Sequence, residues 1–119
     1  MHTVAKGKNG ETLAAASLEA AGMEIIARNY RSKFGEVDII ALCNETIVFV
    51  EVKSWVTLGQ EDLQYSLDLR KQQKIIKTAK YFIFENRKYS NMTIRFDVIL
   101  VKFNGSQITH LASAFTESV

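Results

Sequence analysis

The chain has 119 residues, of which 47% are hydrophobic and 24% charged, so it fits one globular domain over residues 1–119 and is too short for two. A single cysteine and two histidines exclude a disulfide framework and make a zinc enzyme a poor candidate. No apolar run reaches the length of a membrane span, and the N-terminal residues lack the apolar stretch of a signal peptide. We therefore expect a cytoplasmic protein with no membrane partner.

The charge is distributed unevenly along the chain. Residues 1–68 carry 6 basic and 10 acidic side chains, a net charge of −4, whereas residues 69–102 carry 9 basic and 2 acidic, a net charge of +7. An acidic cluster beside a basic one is typical of a metal site next to a surface that binds a polyanion. Two solvated faces of opposite charge are the simpler alternative.

The first half of the chain predicts one helix and three strands. An alanine-rich stretch over about residues 8–21 predicts the helix, and Gly22 stands where a C-terminal cap glycine belongs. Turns at residues 31–34 and 43–45 separate three strand-like runs, and such short connections favour an antiparallel meander. The runs are Met23–Tyr30, Gly35–Leu42 and Thr46–Trp55.

The second half predicts a second helix and two more strands. After a connection over residues 56–67, Asp68 is a plausible N-cap for a helix that ends near Asn86. Two strands follow, Thr93–Phe103 and Gln107–Leu111. The order α-β-β-β-α-β-β predicts an α/β fold with a mixed central β-sheet flanked by helices.

Two acidic side chains and a lysine occupy the centres of neighbouring predicted strands. Asp38 lies in the second strand, and Glu51 and Lys53 share one face of the third because only Val52 separates them. Such groups are costly to bury without a purpose. Two carboxylates can bind Mg²⁺ or Mn²⁺, and an adjacent lysine can orient or deprotonate a water molecule. A structural Glu–Lys ion pair is the alternative.

The spacing D-x12-E-x-K matches the core motif of the PD-(D/E)xK nucleases. Together with GEVDIIA and FVEVKS, the stretch from Gly7 to Asp97 resembles the YraN-type family, an uncharacterised group of small bacterial predicted endonucleases, and, more distantly, archaeal Holliday junction resolvases. The resemblance implies a restriction-endonuclease-like core and Mg²⁺-dependent hydrolysis of DNA, including structured or branched DNA. It also implies that Glu11 is a further active-site residue. An acid that stabilises a helix N-terminus is the alternative for Glu11.

Basic side chains on the second helix supply candidate phosphate contacts. They lie opposite its apolar arc, and two more cations lie in the predicted turn after the first strand. The candidates are Arg70, Lys71, Lys74, Lys77, Arg31 and Lys33. Gln72, within the apolar arc, and Ser54, next to Lys53, are candidates for supporting the site.

Several other residues receive simpler interpretations. Ser54 and Trp55 stand where the resembling family continues its E-V-K motif with a threonine and an arginine, so the hydroxyl is kept and the cation is lost. Either packing or base stacking would suit Trp55. Glu36 is expected to be solvated, His110 and Asp97 to be structural, Asp97 pairing near Arg95, and Cys43 to be buried or in a turn. A nuclease this small that cuts both strands would act as a homodimer. The alternatives to an enzyme are a non-catalytic nucleic-acid-binding module and an assembly protein whose carboxylates only form ion pairs.

Overall fold

The computed structural model describes the backbone of residues 3–55, 67–102 and 107–117, and the side chains of residues 10–54, 67–102 and 107–117. In chain order the elements are α1 (Thr3–Ala20), β1 (Glu24–Ser32), β2 (Gly35–Cys43), β3 (Thr46–Trp55), α2 (Leu69–Glu85), a 3-10 turn (Arg87–Tyr89), β4 (Thr93–Lys102) and β5 (Ile108–Phe115). This order confirms the predicted succession of helices and strands.

The five described strands form one mixed sheet in the order β1-β2-β3-β4-β5. The pairs β1–β2, β2–β3 and β4–β5 are antiparallel, whereas β3 and β4 run parallel with Val50 opposite Asp97. Parallel neighbours need a long crossover connection, and α2 lies within it. Both the antiparallel meander of the first three strands and the mixed sheet were predicted correctly.

The helices cover opposite faces of the sheet. On one face, Ala14 and Leu18 of α1 belong to a buried cluster with Val48 and Val50 of β3. On the other face, residues of α2 that include Phe82 pack with strand residues that include Ile47 and Phe49. Because β3 is buried on both faces, its sequence is almost continuously apolar. The side chains of Glu51 and Lys53 are exceptions on the α2 face.

The helix ends follow the predicted capping chemistry. The Asp68 carboxylate accepts a hydrogen bond from the Lys71 N–H at 2.9 Å, and α2 ends at Asn86 as expected. α1 begins at Thr3, five residues before the predicted start, and ends at Ala20. Gly22 follows it with a positive φ of 91°, a conformation that glycine adopts without steric cost.

Several strand boundaries differ from the predictions. Cys43 was expected to be buried or in the turn, but it is only partly buried and belongs to β2, where it pairs with Thr46. Arg31 and Ser32 belong to β1 rather than to the turn, because they pair with Glu36 and Gly35 and leave a turn of only two residues. β5 extends four residues past its predicted end, to Phe115. The pairing of β5 with β4 shifts in register between Phe96 and Val98. This irregularity breaks the alternation of inward and outward side chains by which a strand is recognised in a sequence. The expectations for residues 56–66 and 103 lie outside the described residues.

Candidate functional site

A cleft of about 690 Å³ opens between the first turns of α2 and the neighbouring parts of β2 and β3. Charged side chains of both signs line it, together with Gly35, Val52 and Ile75. The charged residues are Glu36, Asp38, Glu51, Lys53, Asp68, Arg70, Lys71 and Lys74. The cleft therefore joins the acidic and the basic parts of the sequence.

The pairing of β2 with β3 places Asp38 beside Glu51. The antiparallel register runs from Cys43 opposite Thr46 to Ile39 opposite Val50, so Asp38 and Glu51 come next along the two strands. There the Asp38 carboxylate accepts a hydrogen bond from the Val52 N–H at 2.7 Å. The Asp38 oxygen thus accepts from β3 at the point where the backbone pairing of β2 with β3 ends. This hydrogen bond fixes the position of the carboxyl group.

The surroundings of Asp38 disfavour its charged form. Burial and the nearby charge of Glu51 raise the pKa of Asp38 from 3.8 to about 7, with a smaller contribution from Glu11. The Val52 N–H acts in the opposite direction, because it stabilises the carboxylate. Near neutral pH Asp38 therefore carries less than its full negative charge, and a bound cation would favour its ionised form.

Two lysines surround the buried carboxylate of Glu51, which is 7% exposed. The Nζ atom of Lys71 lies 2.8 Å from Glu51 Oε2, and that of Lys53 lies 3.7 Å from the same oxygen. Burial and the adjacent Lys71 ammonium lower the pKa of Lys53, although Glu51 and Asp38 oppose the shift. A lysine with a lowered pKa is closer to the neutral form that accepts a proton.

The position of Lys71 corrects the expectation that it projects outward with the other basic residues of α2. Its ammonium is directed to Glu51, and although burial lowers the pKa of Lys71, its hydrogen bonds with Glu51 and Lys53 bring the net shift upward. A lysine side chain is long enough to cross from the edge of a helix to a buried acid. Arg70 and Lys74 line the cleft, and Arg70, Lys74 and Lys77 are all exposed.

Glu11 approaches the site from α1, on the other side of the sheet. Its carboxylate lies 3.8 Å from the Arg28 guanidinium, and its charge contributes to the raised pKa of Asp38. The preceding residue, Gly10, lets α1 come close to β3, because a Cβ there would lie only 2.7 Å from the hydroxyl oxygen of Ser54. The predicted acids Glu11 and Asp38 are thus electrostatically coupled across the strands.

The two predicted supporting residues do not reach the acidic pair. Ser54 lies beside Gly10 on the α1 side, whereas Lys53 points into the cleft. The Gln72 amide donates a hydrogen bond to the Leu67 carbonyl at 3.0 Å, so it ties the start of α2 to the preceding segment. The Trp55 side chain lies outside the described side chains, and the alternatives for it stay open.

The remaining predicted cations lie at one end of the β1–β2 hairpin. Arg31 is exposed near the end of β1, opposite Glu36, and Lys33 is exposed in the turn. The turn follows the side of α2 that carries Lys74, because Gly35 lies against the Lys74 side chain. Ser32, whose hydroxyl contacts Thr78 of α2, follows Arg31 in β1, so alternation directs Arg31 to the other face of the sheet, and only Lys33 remains in the turn that packs on α2.

A second buried carboxylate, Asp97, has partners that the sequence analysis identified only in part. It is fully buried and accepts two hydrogen bonds from the Arg95 guanidinium at 2.9 Å, one from the Ser113 N–H at 3.0 Å, and it contacts His110 Nε2 at 2.6 Å. Burial raises its pKa, but these partners more than offset that effect and the pKa is lowered overall. Asp97 is structural as predicted, with Arg95 itself as its partner. The spacing R-x-D within an apolar strand was the available signal, since residues two apart share a face.

The donor set of the cleft fits a small divalent cation. Within the described side chains, no group of three or more His, Cys, Asp and Glu residues converges on one point. Mg²⁺ is commonly held by one or two carboxylates, with water and substrate phosphate completing its octahedral shell. The Asp38–Glu51 pair therefore matches the needs of Mg²⁺ or Mn²⁺ and lacks the nitrogen and sulfur ligands of a typical zinc site.

The fold and the cleft define a mixed α/β protein with a paired-carboxylate site under a basic helix. The chain belongs to the uncharacterised protein family UPF0102, whose family model matches residues 10–101. The expectation of a small uncharacterised family is thereby confirmed. Among the helices described here, none is long and apolar enough to cross a membrane.

Similar proteins occur in several organisms. The UPF0102 protein of Treponema pallidum strain Nichols is 42% identical, and the match covers 99% of this chain and 98% of that protein. The UPF0102 protein of Persephonella marina is 44% identical over 92% of each chain. That of Clostridioides difficile strain 630 is 41% identical, covering 97% of this chain and all of that protein. The family description specifies no activity, so function has to be argued from the site.

Proposed function

We propose that this protein is a nuclease that hydrolyses phosphodiester bonds in DNA with the help of Mg²⁺ or Mn²⁺. The observation that carries the proposal is the adjacent pair of carboxyl groups, Asp38 and Glu51, with a lysine amine 3.7 Å from one of them, inside a cleft lined by further cations. The fold implied is restriction-endonuclease-like. A mixed sheet with helices on both faces and the spacing of Asp38, Glu51 and Lys53 support that finer assignment.

The residues of the cleft have distinct roles in this proposal. Asp38 and Glu51 would hold the metal ion, which when bound supplies Lewis-acid stabilisation and a more acidic water molecule. Lys53 Nζ is positioned to take a proton from the attacking water or to offset charge that develops on the phosphate. Its lowered pKa supports the first role. Glu11 adds negative charge near Asp38 and so favours a cation there.

The cations at the rim of the cleft are suited to the DNA backbone. Arg70 and Lys74 line the cleft, and Lys77 lies one turn further along α2. Contacts from lysine and arginine to phosphate position a nucleic acid without reading its sequence. We therefore expect recognition of backbone shape, in linear, structured or branched DNA, rather than of base sequence.

A non-catalytic nucleic-acid-binding protein is the second candidate, and one observation favours it. Lys71 already neutralises Glu51 at 2.8 Å, and Lys53 completes a compact ion-pair network around that acid. A network of this kind stabilises the fold without needing a metal. This candidate predicts DNA binding through the same basic surface with no cleavage.

Cleavage assays on defined substrates distinguish the two candidates. The purified protein is incubated with linear and branched DNA in Mg²⁺ or Mn²⁺, alongside Glu51→Gln and the control Glu45→Gln, which removes an exposed acid from the β2–β3 turn. We expect metal-dependent cleavage by the parent and the control, and loss of both cleavage and calorimetric metal binding in Glu51→Gln. DNA binding without cleavage by the parent would favour the second candidate. Full activity of Glu51→Gln would exclude the site as described.

A further inference from the structure

Aromatic side chains continue from the basic end of the cleft along the outer face of α2. Arg70, Lys74, Lys77, Tyr81 and Phe84 follow one another at intervals of four, three, four and three residues, which places them along one line of an α-helix. The first three are exposed cations, Tyr81 is partly buried, and Phe84 is 67% exposed. The line therefore changes from basic to aromatic with distance from the cleft.

A third aromatic residue, Phe34, reaches this line from the β1–β2 turn. Its ring centroid lies 6.0 Å from that of Tyr81 in an edge-to-face arrangement, and the residue is 36% exposed. The Nζ atom of Lys33 lies 5.4 Å from the centre of the Phe34 ring. We call Phe34, Tyr81 and Phe84 the aromatic strip. It combines exposed ring surface with cations at the same place.

The turn that carries Phe34 is fixed to α2. The Phe34 N–H donates to the Ser32 hydroxyl at 3.0 Å, and this hydroxyl lies 3.3 Å from that of Thr78 on α2. Gly35 approaches α2 closely, because a Cβ there would meet the Lys74 Cβ at 3.4 Å. An exposed ring held in this way loses little conformational entropy when a ligand stacks on it.

The Tyr81 ring is held as well. Its hydroxyl donates to Glu85 at 2.9 Å, and the Tyr30 hydroxyl donates to the other carboxylate oxygen of Glu85 at 3.2 Å. These two donors satisfy the acid nearest the strip. The carboxylate keeps its negative charge, so the cations that favour an anionic ligand at the strip are Lys33, over the Phe34 ring, and Lys77 on α2.

We propose that the aromatic strip binds unpaired bases of single-stranded DNA, whose backbone runs from the cleft along the cations of α2. This inference rests on the proposed function and narrows its substrate class to DNA with a single-stranded segment beside the cleaved bond. Stacking on a protein ring requires a free base face, which duplex DNA does not offer. Lys74 and Phe84 are ten residues apart, about 15 Å along the helix, so a few nucleotides would reach from one to the other.

Equilibrium binding without metal tests the inference separately from catalysis. Fluorescence anisotropy in EDTA is measured with a labelled oligothymidylate, an abasic strand of equal length and a duplex of equal length. Phe34→Ala should weaken binding of the oligothymidylate roughly 5- to 150-fold, the equivalent of one lost base stack, and leave the abasic strand and the duplex unaffected. Phe34→Trp should restore binding. Phe84→Ala is an independent variant expected to act in the same direction.

The matched control is Ile94→Ala, which removes an apolar side chain of similar exposure, 40%, from the start of β4. It should leave all three affinities unchanged. Parental oligothymidylate affinity in both Phe34→Ala and Phe84→Ala, or an equal loss on the abasic strand, would overturn the inference. So would a parent dimer in sedimentation that Phe34→Ala converts to a monomer, because the strip would then be an interface between copies.

The outcome for the strip is distinguishable from the outcome for the nuclease. Selective loss of single-strand binding in Phe34→Ala, with no cleavage by the parent in Mg²⁺ or Mn²⁺, would support the strip and contradict the nuclease proposal. Metal-dependent cleavage that is equally fast on duplex and single strands, and indifferent to Phe34→Ala, would contradict the strip and support the nuclease.

Discussion

Replacing Asp38 by asparagine should stabilise the metal-free protein, and by more as the pH rises. The pKa of Asp38 is raised from 3.8 to about 7, so the folded state binds a proton that the unfolded state has already released in this range. The contribution of a group with a raised folded-state pKa is fully present below the unfolded pKa and is lost as the pH rises through the folded one. Asparagine has no proton to lose, and its carbonyl oxygen can still accept from Val52.

The magnitude follows from the two pKa values. The interval from 3.8 to about 7 spans about three pH units, each equivalent to about 1.4 kcal/mol. The advantage of Asp38→Asn over the parent should therefore grow by up to about 4 kcal/mol between pH 4 and about pH 8 and stay constant above that. Urea unfolding in EDTA at a series of pH values measures it, with the transition followed by circular dichroism.

Two further arms test the reasoning behind this prediction. Glu36→Gln removes an exposed acid of the same strand and cleft, and its stability should follow the parent at every pH. Mg²⁺ at 100 times its dissociation constant should stabilise the parent by about 2.7 kcal/mol and leave Asp38→Asn unchanged. If the free energies of unfolding of Asp38→Asn and the parent change in parallel from pH 4 to pH 8, the raised pKa of Asp38 is refuted.

Three other changes probe the remaining features. Lys53→Met should lower turnover at least 100-fold, because the amine acts on the attacking water and the phosphate. The Mn²⁺ affinity measured by calorimetry should stay within a few-fold of the parent value. A variant that cleaves as fast as the parent would show that Lys53 is only an ion-pair partner. The double variant Lys74→Glu, Lys77→Glu should weaken binding to all DNA sequences alike and reduce the slope of log affinity against log salt by about 0.7–0.9 per lost contact. An unchanged slope would indicate that DNA binds elsewhere, with the β1–β2 hairpin as the next candidate. Asp97→Asn should cost about 1.5–3 kcal/mol at pH 7 in urea unfolding, since the hydrogen bonds of Arg95 lose their charged acceptor. Because the folded-state pKa of Asp97 lies below 3.8, that contribution should vanish as the parent is acidified through the folded value, and a cost that persists there would contradict it.

Much of the fold was predictable because its signals are local. Asp68 marks the start of α2 through a hydrogen bond to a residue three positions on, which a sequence reveals directly. The alternation in β3 likewise assigns Val48 and Val50 to one face and Glu51 to the other. The predicted turn over residues 43–45 brings Asp38 near Glu51, whereas the observed pairing of Cys43 with Thr46 leaves a two-residue turn and sets the register that makes the two acids direct neighbours.

Some features escaped prediction although a local pattern held them, and others depend on distance in the fold. Lys71 was predicted to project outward with the other basic residues, but it precedes the buried Ile75 by four residues and Thr78 by seven, which places it on the sheet-facing side of α2, within reach of Glu51. The contact of Asp97 with His110 depends on the β4–β5 register, which an irregularity shifts by an amount that no sequence pattern specifies. The backbone conformation of Ser113, whose N–H donates to Asp97, could not be predicted either, because its positive φ of 53° is unusual for a residue with a side chain.

The hydrogen bond from the Val52 N–H to Asp38 makes one backbone amide sensitive to what occupies the cleft. Elsewhere in the β2–β3 ladder the acceptors are peptide carbonyls, whose strength does not depend on the solution, whereas here the acceptor is a group that gains or loses charge. Exchange of the Val52 amide proton with solvent deuterium is therefore coupled to the charge on Asp38. A cation or a phosphate that enters the cleft should change the exchange rate of this amide, so occupancy can be followed in the unmodified protein without a label.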